Sequence, residues 1–370
     1  MVQVIGQNLK AIRMTQNDSN ASPALLRGKP QNVTLAQVAK RAGVSIATVS
    51  RVVNGTPVKI APQTILDVRK AVAELDYRTQ SAGRALRKGT TQIIAVLAAN
   101  LGNPVMSAIA SSIEHTLRQN GYVMLLCDTH EQADIQDEYL REMEALRVRA
   151  VVMVVAVPSP KLDEFRQAGI PLVFVNRRDP VRSSFPYVGI DNAAAGRDVA
   201  GYCLSKGWRE IAVIHASLVY SAGRERLQGF LDRMQHPEGG LHTVRQFGSS
   251  GLDHLRIGEQ AMQDVLAQPV RPDVVVCLSD LLAYGAYKQA SGAGLSIPRD
   301  MPLISFDDGP LNQWIAQWLS AVRIPYELIG DAVIAALTAM LESQHGNSSS
   351  QDKSPPIHDH IIPHQLIIRG

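Results

Sequence analysis

Residues 34–54 read TLAQVAKRAGVSIATVSRVVN, and no other stretch restricts the fold of this chain as tightly. Thr34 carries a hydroxyl that can accept a free backbone N–H, so it can open a helix. Leu35, Val38 and Ala39 then recur on one helical face. Ala42 and Gly43 end the run, and Gly43 is free to take a left-handed turn. Ser45 can cap a second helix, with Val49 and Val52 facing inward and Ile46, Ala47, Ser50 and Arg51 facing outward. The spacing predicts a helix-turn-helix, whose second helix sets its N-terminal side chains against base edges in a DNA major groove. A third helix is expected over about 62–75, from the spacing of Ile65, Val68, Val72 and Leu75.

At 370 residues the chain is too long for one small domain, and its 45% hydrophobic content supports a sizeable core. The net charge of +3 hides an uneven distribution. Residues 1–90 hold 14 Lys/Arg and 4 Asp/Glu, whereas residues 91–370 hold 23 and 30. A basic head on an acidic body suits a nucleic-acid module joined to a sensor. Cys127, Cys203 and Cys277 lie far apart in apolar runs and read as buried free thiols. No His/Cys spacing suggests a metal site, and no cofactor is implied. No apolar run approaches the roughly 20 residues of a membrane span. With no signal-peptide pattern at the N-terminus, a cytoplasmic protein is expected, associated with the nucleoid when on DNA.

Residues 1–32 are polar without a sustained period and are expected to be a flexible extension. The head spans 33–78, and residues 79–89, TQSAGRALRKG, form a helix-prone linker. From Thr90 the pattern changes to apolar strands alternating with amphipathic helices. One series comprises IIAVLA (93–98), YVMLLCD (122–128), AVVMVVAV (150–157) and LVFVN (172–176). A second comprises IAVIHA (211–216), DVVVCLS (273–279) and LISFDD (303–308), with HQLIIR (364–369) as a last strand after a low-complexity loop at 343–356. Continuous apolar strands separated by helices mean parallel sheets covered on both faces. The expected class is an all-α head and hinge helix joined to an α/β body of two doubly wound subdomains. A ligand cleft is expected between them at the strand C-termini. The first subdomain should take about 91–189 plus 322–345, the second about 190–321 plus 346–370.

The helix-turn-helix is followed by AELDYR, GNPVM (102–106), NRRDP (176–180), VGIDN (188–192), RERLQGF (224–230), SDLLAYGA (279–286), ISFDDGP (304–310) and VRIP (322–325). In these motifs, their order and spacing, residues 33–370 resemble the lactose/galactose repressor family of bacterial transcription regulators. The resemblance implies a repressor that binds double-stranded operator DNA as a homodimer. It also implies a body like a periplasmic sugar-binding protein that takes a small-molecule effector, with a carbohydrate as the expected class. Most sugars in such a family release DNA while purines tighten it, so the sign of regulation stays open.

Arg51 can grip guanine O6 and N7 with two hydrogen bonds, or hold phosphate instead. Ile46 and Ala47 stand at the family's variable reading positions, where only apolar contact such as with a thymine methyl is open to them. Thr34, Ser45, Thr48 and Ser50 suit phosphate contacts or helix caps. By resemblance Asn54 touches backbone phosphate, and the linker folds into a hinge helix whose Leu86 wedges between base pairs from the minor groove. The alternative for Leu86 is packing on the body. The linker departs from the family pattern at Thr79, where a proline is usual, and at Gly83, where an alanine is. Ala61 stands where a capping Ser is common.

In the body, Arg226 lies at the family's sugar- or carboxylate-binding position by resemblance, and Asp307 ends a strand where a carboxylate can accept from two neighbouring sugar hydroxyls. The alternatives are a surface ion pair for Arg226 and a helix N-cap for Asp307 or Asp308. Asn176 and Ser279 replace the Asp and Asn of related sugar binders, which points away from the commonest effector. Asn103, Met106 and Trp314 are further candidate lining residues, with core packing the alternative for the last two. Adjacent Asp307 and Asp308 at a strand end point in opposite directions and cannot converge on one bond. The chain has no nucleophile elbow, Walker loop or dinucleotide fingerprint, so no enzyme is expected. The rival readings are a sugar-binding transport or receptor protein, and a constitutive DNA-binding protein with a degenerate cleft.

Overall fold

The computed structural model describes residues 33–54, 60–77, 91–180, 185–235, 242–345 and 358–370. The chain divides into two units, Met1–Arg84 and Ala85–Gly370. The smaller unit holds α1 (Leu35–Ala42), α2 (Ile46–Asn54) and α3 (Pro62–Glu74). A capping box starts α1: Thr34 Oγ1 accepts from the Gln37 N–H, and Gln37 Oε1 accepts from the Thr34 N–H. Gly43, at φ +67°, ends it in the left-handed region. The three helices meet over Val38, Ala39, Val49, Val68 and Ala71, all buried. Ala61 gives α3 no side-chain cap.

The larger unit contains two six-stranded sheets. The first lobe's strands are β1 (Ile93–Ala98), β2 (Val123–Asp128), β3 (Ala150–Val154), β4 (Leu172–Val175), β5 (Tyr187–Gly189) and β11 (His360–Ile361). They run in the order β11-β5-β4-β3-β1-β2, all parallel. The second lobe has β6 (Glu210–His215), β7 (Thr243–Gly248), β8 (Val274–Cys277), β9 (Leu303–Asp307), β10 (Leu319–Arg323) and β12 (Gln365–Ile367). Their order is β12-β10-β9-β8-β6-β7, with only β12 antiparallel. Strands β1, β3, β4 and β8 are buried almost throughout, as their unbroken apolar runs require.

In the first lobe the helices are α4 (Pro104–Gln119), α5 (Ala133–Ala145), α6 (Pro160–Gln167) and α12 (Ile329–His345). Those of the second are α7 (Asn192–Ser205), α8 (Ser221–Met234), α9 (His254–Leu266), α10 (Asp280–Gly292) and the single turn α11 (Asn312–Ile315). The chain crosses between lobes after Gly189, after Arg323 and after Ile361. The C-terminal boundary therefore differs from expectation. Residues 346–370 do not belong wholly to the second subdomain, because His360–Ile361 pairs with Val188 and Gly189 and covers the open edge of β5. Val322 and Arg323, expected in the first, pair with Phe306 and Asp307 in the second.

Candidate functional site

In the helical unit, Ser45 Oγ accepts from the Thr48 N–H at 3.1 Å and lies 2.9 Å from the Thr48 hydroxyl. Thr34, Ser45 and Thr48 thus spend hydroxyl contacts on helix starts. Ile46, Ala47 and Arg51 are exposed on one side of α2, and Ser50 is half-buried. The exposed set is one charged fork beside two small apolar groups. Gly83 and Leu86, with the rest of the hinge, lie outside the described residues, as do residues 1–32 and the side chain of Asn54.

In the larger unit the strand C-termini of both lobes open on one cavity. Asn103, Met106 and Asn176 line it from the first lobe, and Arg226, Ser279 and Asp307 from the second. Val155 and Asn176, which directly follow β3 and β4, and Asp307, which ends β9, have φ of +68°, +65° and +97°. Positive φ is costly for such residues, and for β-branched Val155 most of all, so the strained backbone concentrates where the strands meet the cavity.

Arg226 is 4% exposed, and all its nitrogens are engaged. Nη2 pairs with Asp307 Oδ1 at 2.9 Å, Nε donates to Asn192 Oδ1 at 2.9 Å and Nη1 donates to the Leu278 carbonyl at 2.8 Å. The surface ion-pair alternative is therefore excluded; the pair is buried in the cavity wall. Neither Asp307 nor Asp308 caps the next helix, since the N-cap of α11 is Leu311. Asp308 turns away to Arg323 and Arg369, at 2.7 Å from each. Burial works to raise its carboxyl, but the two guanidinium partners outweigh that and hold it below the usual range.

Behind Asp307 sits Asp280, 3% exposed. It accepts from Ser305 Oγ at 2.6 Å, the Gly309 N–H at 2.6 Å and Asn312 Nδ2 at 2.9 Å. Burial, with the negative charge of Asp307, pushes its carboxyl up to about 7. Ser279 stands at the N-cap of α10 without capping it, and its hydroxyl is buried with no partner. Asn103 caps α4, its Oδ1 accepting from the Val105 N–H at 3.0 Å.

Trp314 is not part of this wall. It is 75% exposed, because the chain turns away after Asp307 and the short α11 carries the indole to solvent. Among the lining residues not singled out from the sequence are Glu131, Arg177, Tyr220 and His254. Arg177 pairs with Glu131 at 3.2 Å and lies 4.1 Å over the Tyr220 ring. Burial lowers the His254 pKa, which keeps the ring uncharged at neutral pH. Arg177 belongs to the NRRDP motif; the other three sit in loops or at a helix start, where no periodicity marks them. Between the lobes, the Arg178 N–H donates to Ser221 Oγ at 2.9 Å, and its guanidinium lies 3.6 Å from Glu225.

Residues 34–80 match the model for "Bacterial regulatory proteins, lacI family", and residues 200–370 match that for "Periplasmic binding protein-like domain". The HTH-type transcriptional repressor PurR of Serratia proteamaculans is 31% identical over 329 residues, covering 88% of this chain and 95% of that protein. The chain belongs to the lacI family of bacterial regulatory proteins. PurR of Shigella dysenteriae is 31% identical over 342 residues, covering 91% and 97%. Among solved structures, the Lac repressor dimer bound to operator and the anti-inducer ONPF aligns with TM-score 0.78 at 21% identity, over 92% of this chain and 98% of that one. A CelR–cellobiose complex aligns with TM-score 0.65 at 24% identity, over 91% and 99%. This lacI-family chain is a DNA-binding transcriptional repressor, not an enzyme. No helix among the described residues is long and apolar enough to cross a membrane.

Proposed function

We propose that this repressor acts as a homodimer on a pseudo-palindromic operator and is switched by a sugar or sugar derivative bound between the lobes of its body. The observation that carries the effector reading is the Arg226–Asp307 pair. It faces the cavity and is bonded to both of the first two crossover segments. Arg226 reaches Asn192 just after the first crossing, and the Asp307 carbonyl accepts from the Tyr326 hydroxyl at 2.6 Å just after the second. A ligand engaging this pair pulls on the segments that set the angle between lobes. It shifts the equilibrium only by its differential affinity for the two states. A protein with the same fold forms a complex with cellobiose, which supports a carbohydrate as the effector class.

On DNA, Arg51 reads a guanine and Ile46 and Ala47 make apolar contacts, while Thr34, Ser45, Thr48, Ser50 and Asn54 hold phosphates. Leu86 is the minor-groove wedge of a hinge that Gly83 makes reluctant to fold, since glycine in a helix costs about 1 kcal/mol against alanine. The effector reading is tested by titrating operator-bound protein with sugars and their derivatives while following fluorescence anisotropy. The active compound should also raise thermal stability, by about 2.7 kcal/mol at 100 times its Kd. Arg226→Lys cannot keep all the contacts of the guanidinium fork and should lose the response; a response equal to wild type would refute the cleft as the switch. For the head, Arg51→Ala should erase operator selectivity yet keep salt-sensitive binding. Equal weakening on every sequence would make Arg51 a phosphate contact.

A further inference from the structure

The NRRDP segment (176–180) follows β4, and Asn176 and Arg177 line the cavity while Arg178 does not. Both neighbours of Arg178 are fixed to their own lobe. Arg177 pairs with Glu131 at 3.2 Å, each side chain 13% exposed. Asp179, whose side chain is 1% exposed, accepts from Arg166 Nε at 3.1 Å and pairs with Arg166 Nη2 as well, which ties it to α6. Ion pairs this well shielded are costly to break, so the backbone at Arg178 has a firm support on either side. The Arg178 side chain is seated on the same lobe. Nη1 bonds Asp359, and the guanidinium lies 4.3 Å over the Tyr187 ring. Asp359 is held in turn, since its Oδ1 accepts from the Tyr187 N–H at 3.3 Å.

From this support Arg178 reaches the second lobe at the start of α8. Its N–H donates to Ser221 Oγ at 2.9 Å, and its guanidinium stands 3.6 Å from Glu225. Ser221 is the first residue of α8, which has no side-chain cap, and Glu225 precedes Arg226. The helix that Arg178 grips is therefore the one that carries Arg226 into the cavity wall. The grip is weaker than the support. The Arg178 and Glu225 side chains are 34% and 27% exposed. An ion pair so open to water, with one neutral hydrogen bond beside it, biases an equilibrium without locking it. Firm anchors on one lobe and a half-exposed grip on the other suit a contact that opens and forms again.

We propose that Arg178 is a clasp between the lobes, fixed on the first and holding α8 of the second through Ser221 and Glu225, so that it sets the resting angle of the cleft with no effector bound. Only its link to the operator rests on the reading of the lobe angle as the switch. The test is hydrogen exchange followed by mass spectrometry on the full chain with no ligand added. The Arg178 amide has its acceptor on the opposite lobe, so it exchanges when the clasp opens. Glu225→Gln keeps that hydrogen bond and the Arg178–Asp359 pair but removes the charge facing the guanidinium. Exchange at Arg178 should speed up about two- to fivefold, while amides of β1 and β3 keep their wild-type rates and report an intact fold. If Arg178 serves only its own lobe, Asp359→Asn will speed this exchange and Glu225→Gln will not, which would overturn the clasp. Fluorescence anisotropy on operator DNA without effector separates the two readings. Faster exchange with altered operator affinity supports both. Faster exchange with operator affinity unchanged leaves the clasp standing and overturns the lobe angle as the switch.

Discussion

Asp280 and Asp308 both accept from the Asn312 amide, yet their surroundings drive them in opposite directions. Asp308 has two arginines; Asp280 has burial and a carboxylate neighbour. The sign of the resulting pH dependence follows from linkage. With the Asp280 carboxyl raised from 3.8 to about 7, the folded chain binds a proton that the unfolded chain has lost. Its contribution is therefore complete below about pH 4 and is lost as pH rises through 7. Asp308 gives the reverse, stabilising above the unfolded carboxylate pKa and fading as pH falls below it. Asp280→Asn separates the two. An asparagine can donate to Ser305 and accept from Gly309 and Asn312, reproducing the protonated acid. The variant should unfold at a higher denaturant concentration than wild type at pH 8 and lose the decline between pH 4 and 7. A wild-type decline that survives the substitution would show that Asp280 is not its source.

At the scale of elements, the helix-turn-helix was legible because its signals are local: a capping residue, a left-handed glycine and a short apolar face. Buried strands such as β1 and β3 were legible as unbroken apolar runs. Strands β5, β7, β10 and β11 lie outside those runs. β5 and β11 are only three and two residues long, β10 carries Ser320 and Arg323 among its five, and β7 mixes polar and apolar residues over Thr243–Gly248. Glycine inside a helix costs about 1 kcal/mol against alanine, yet Gly196, Gly229, Gly258 and Gly285 are where helices touch. A methyl on Gly196 would overlap the Arg226 carbonyl oxygen and one on Gly229 that of Ala193, which locks α7 onto α8. Gly258 and Gly285 meet Leu282 and Leu255 in the same way between α9 and α10. Gly201, on α7, has nothing within 4 Å of its would-be Cβ. Opposite signs are therefore expected for one chemical change. Gly201→Ala should stabilise by up to about 1 kcal/mol, whereas Gly285→Ala should destabilise by roughly 1–3 kcal/mol as the helices are forced apart. Urea titration of both variants measures the contrast, and a stabilising Gly285→Ala would mean that the helix pair can separate freely.

For the whole molecule, the question is how a ligand between the lobes reaches the operator. Candidate wall residues could be named from motifs, but Trp314 could not be excluded, nor Tyr220 found, because backbone direction after each strand depends on tertiary packing. The wiring behind Arg226 and Asp307 was likewise invisible. Tyr326 stands 19 residues beyond Asp307, in a turn with no motif of its own. Its hydroxyl donates to the Asp307 carbonyl at 2.6 Å, and the Ile324 N–H, at 3.3 Å, approaches the same oxygen. Tyr326→Phe removes the first contact and keeps the second, so the carbonyl is not orphaned and the loss of stability should stay near 1 kcal/mol. The Arg226–Asp307 pair itself remains, so effector affinity in the absence of DNA should change little. What should fall is the factor by which effector alters operator affinity, by about fivefold if that one bond carries its ordinary share. Because coupling is reciprocal, operator DNA must lose the same factor in its effect on effector affinity. Four dissociation constants per protein, each partner measured with and without the other, close the cycle. If Tyr326→Phe lowers stability as expected but leaves the coupling factor at its wild-type value, the second crossover is a structural tether only, and the signal travels through Asn192 or outside this wall.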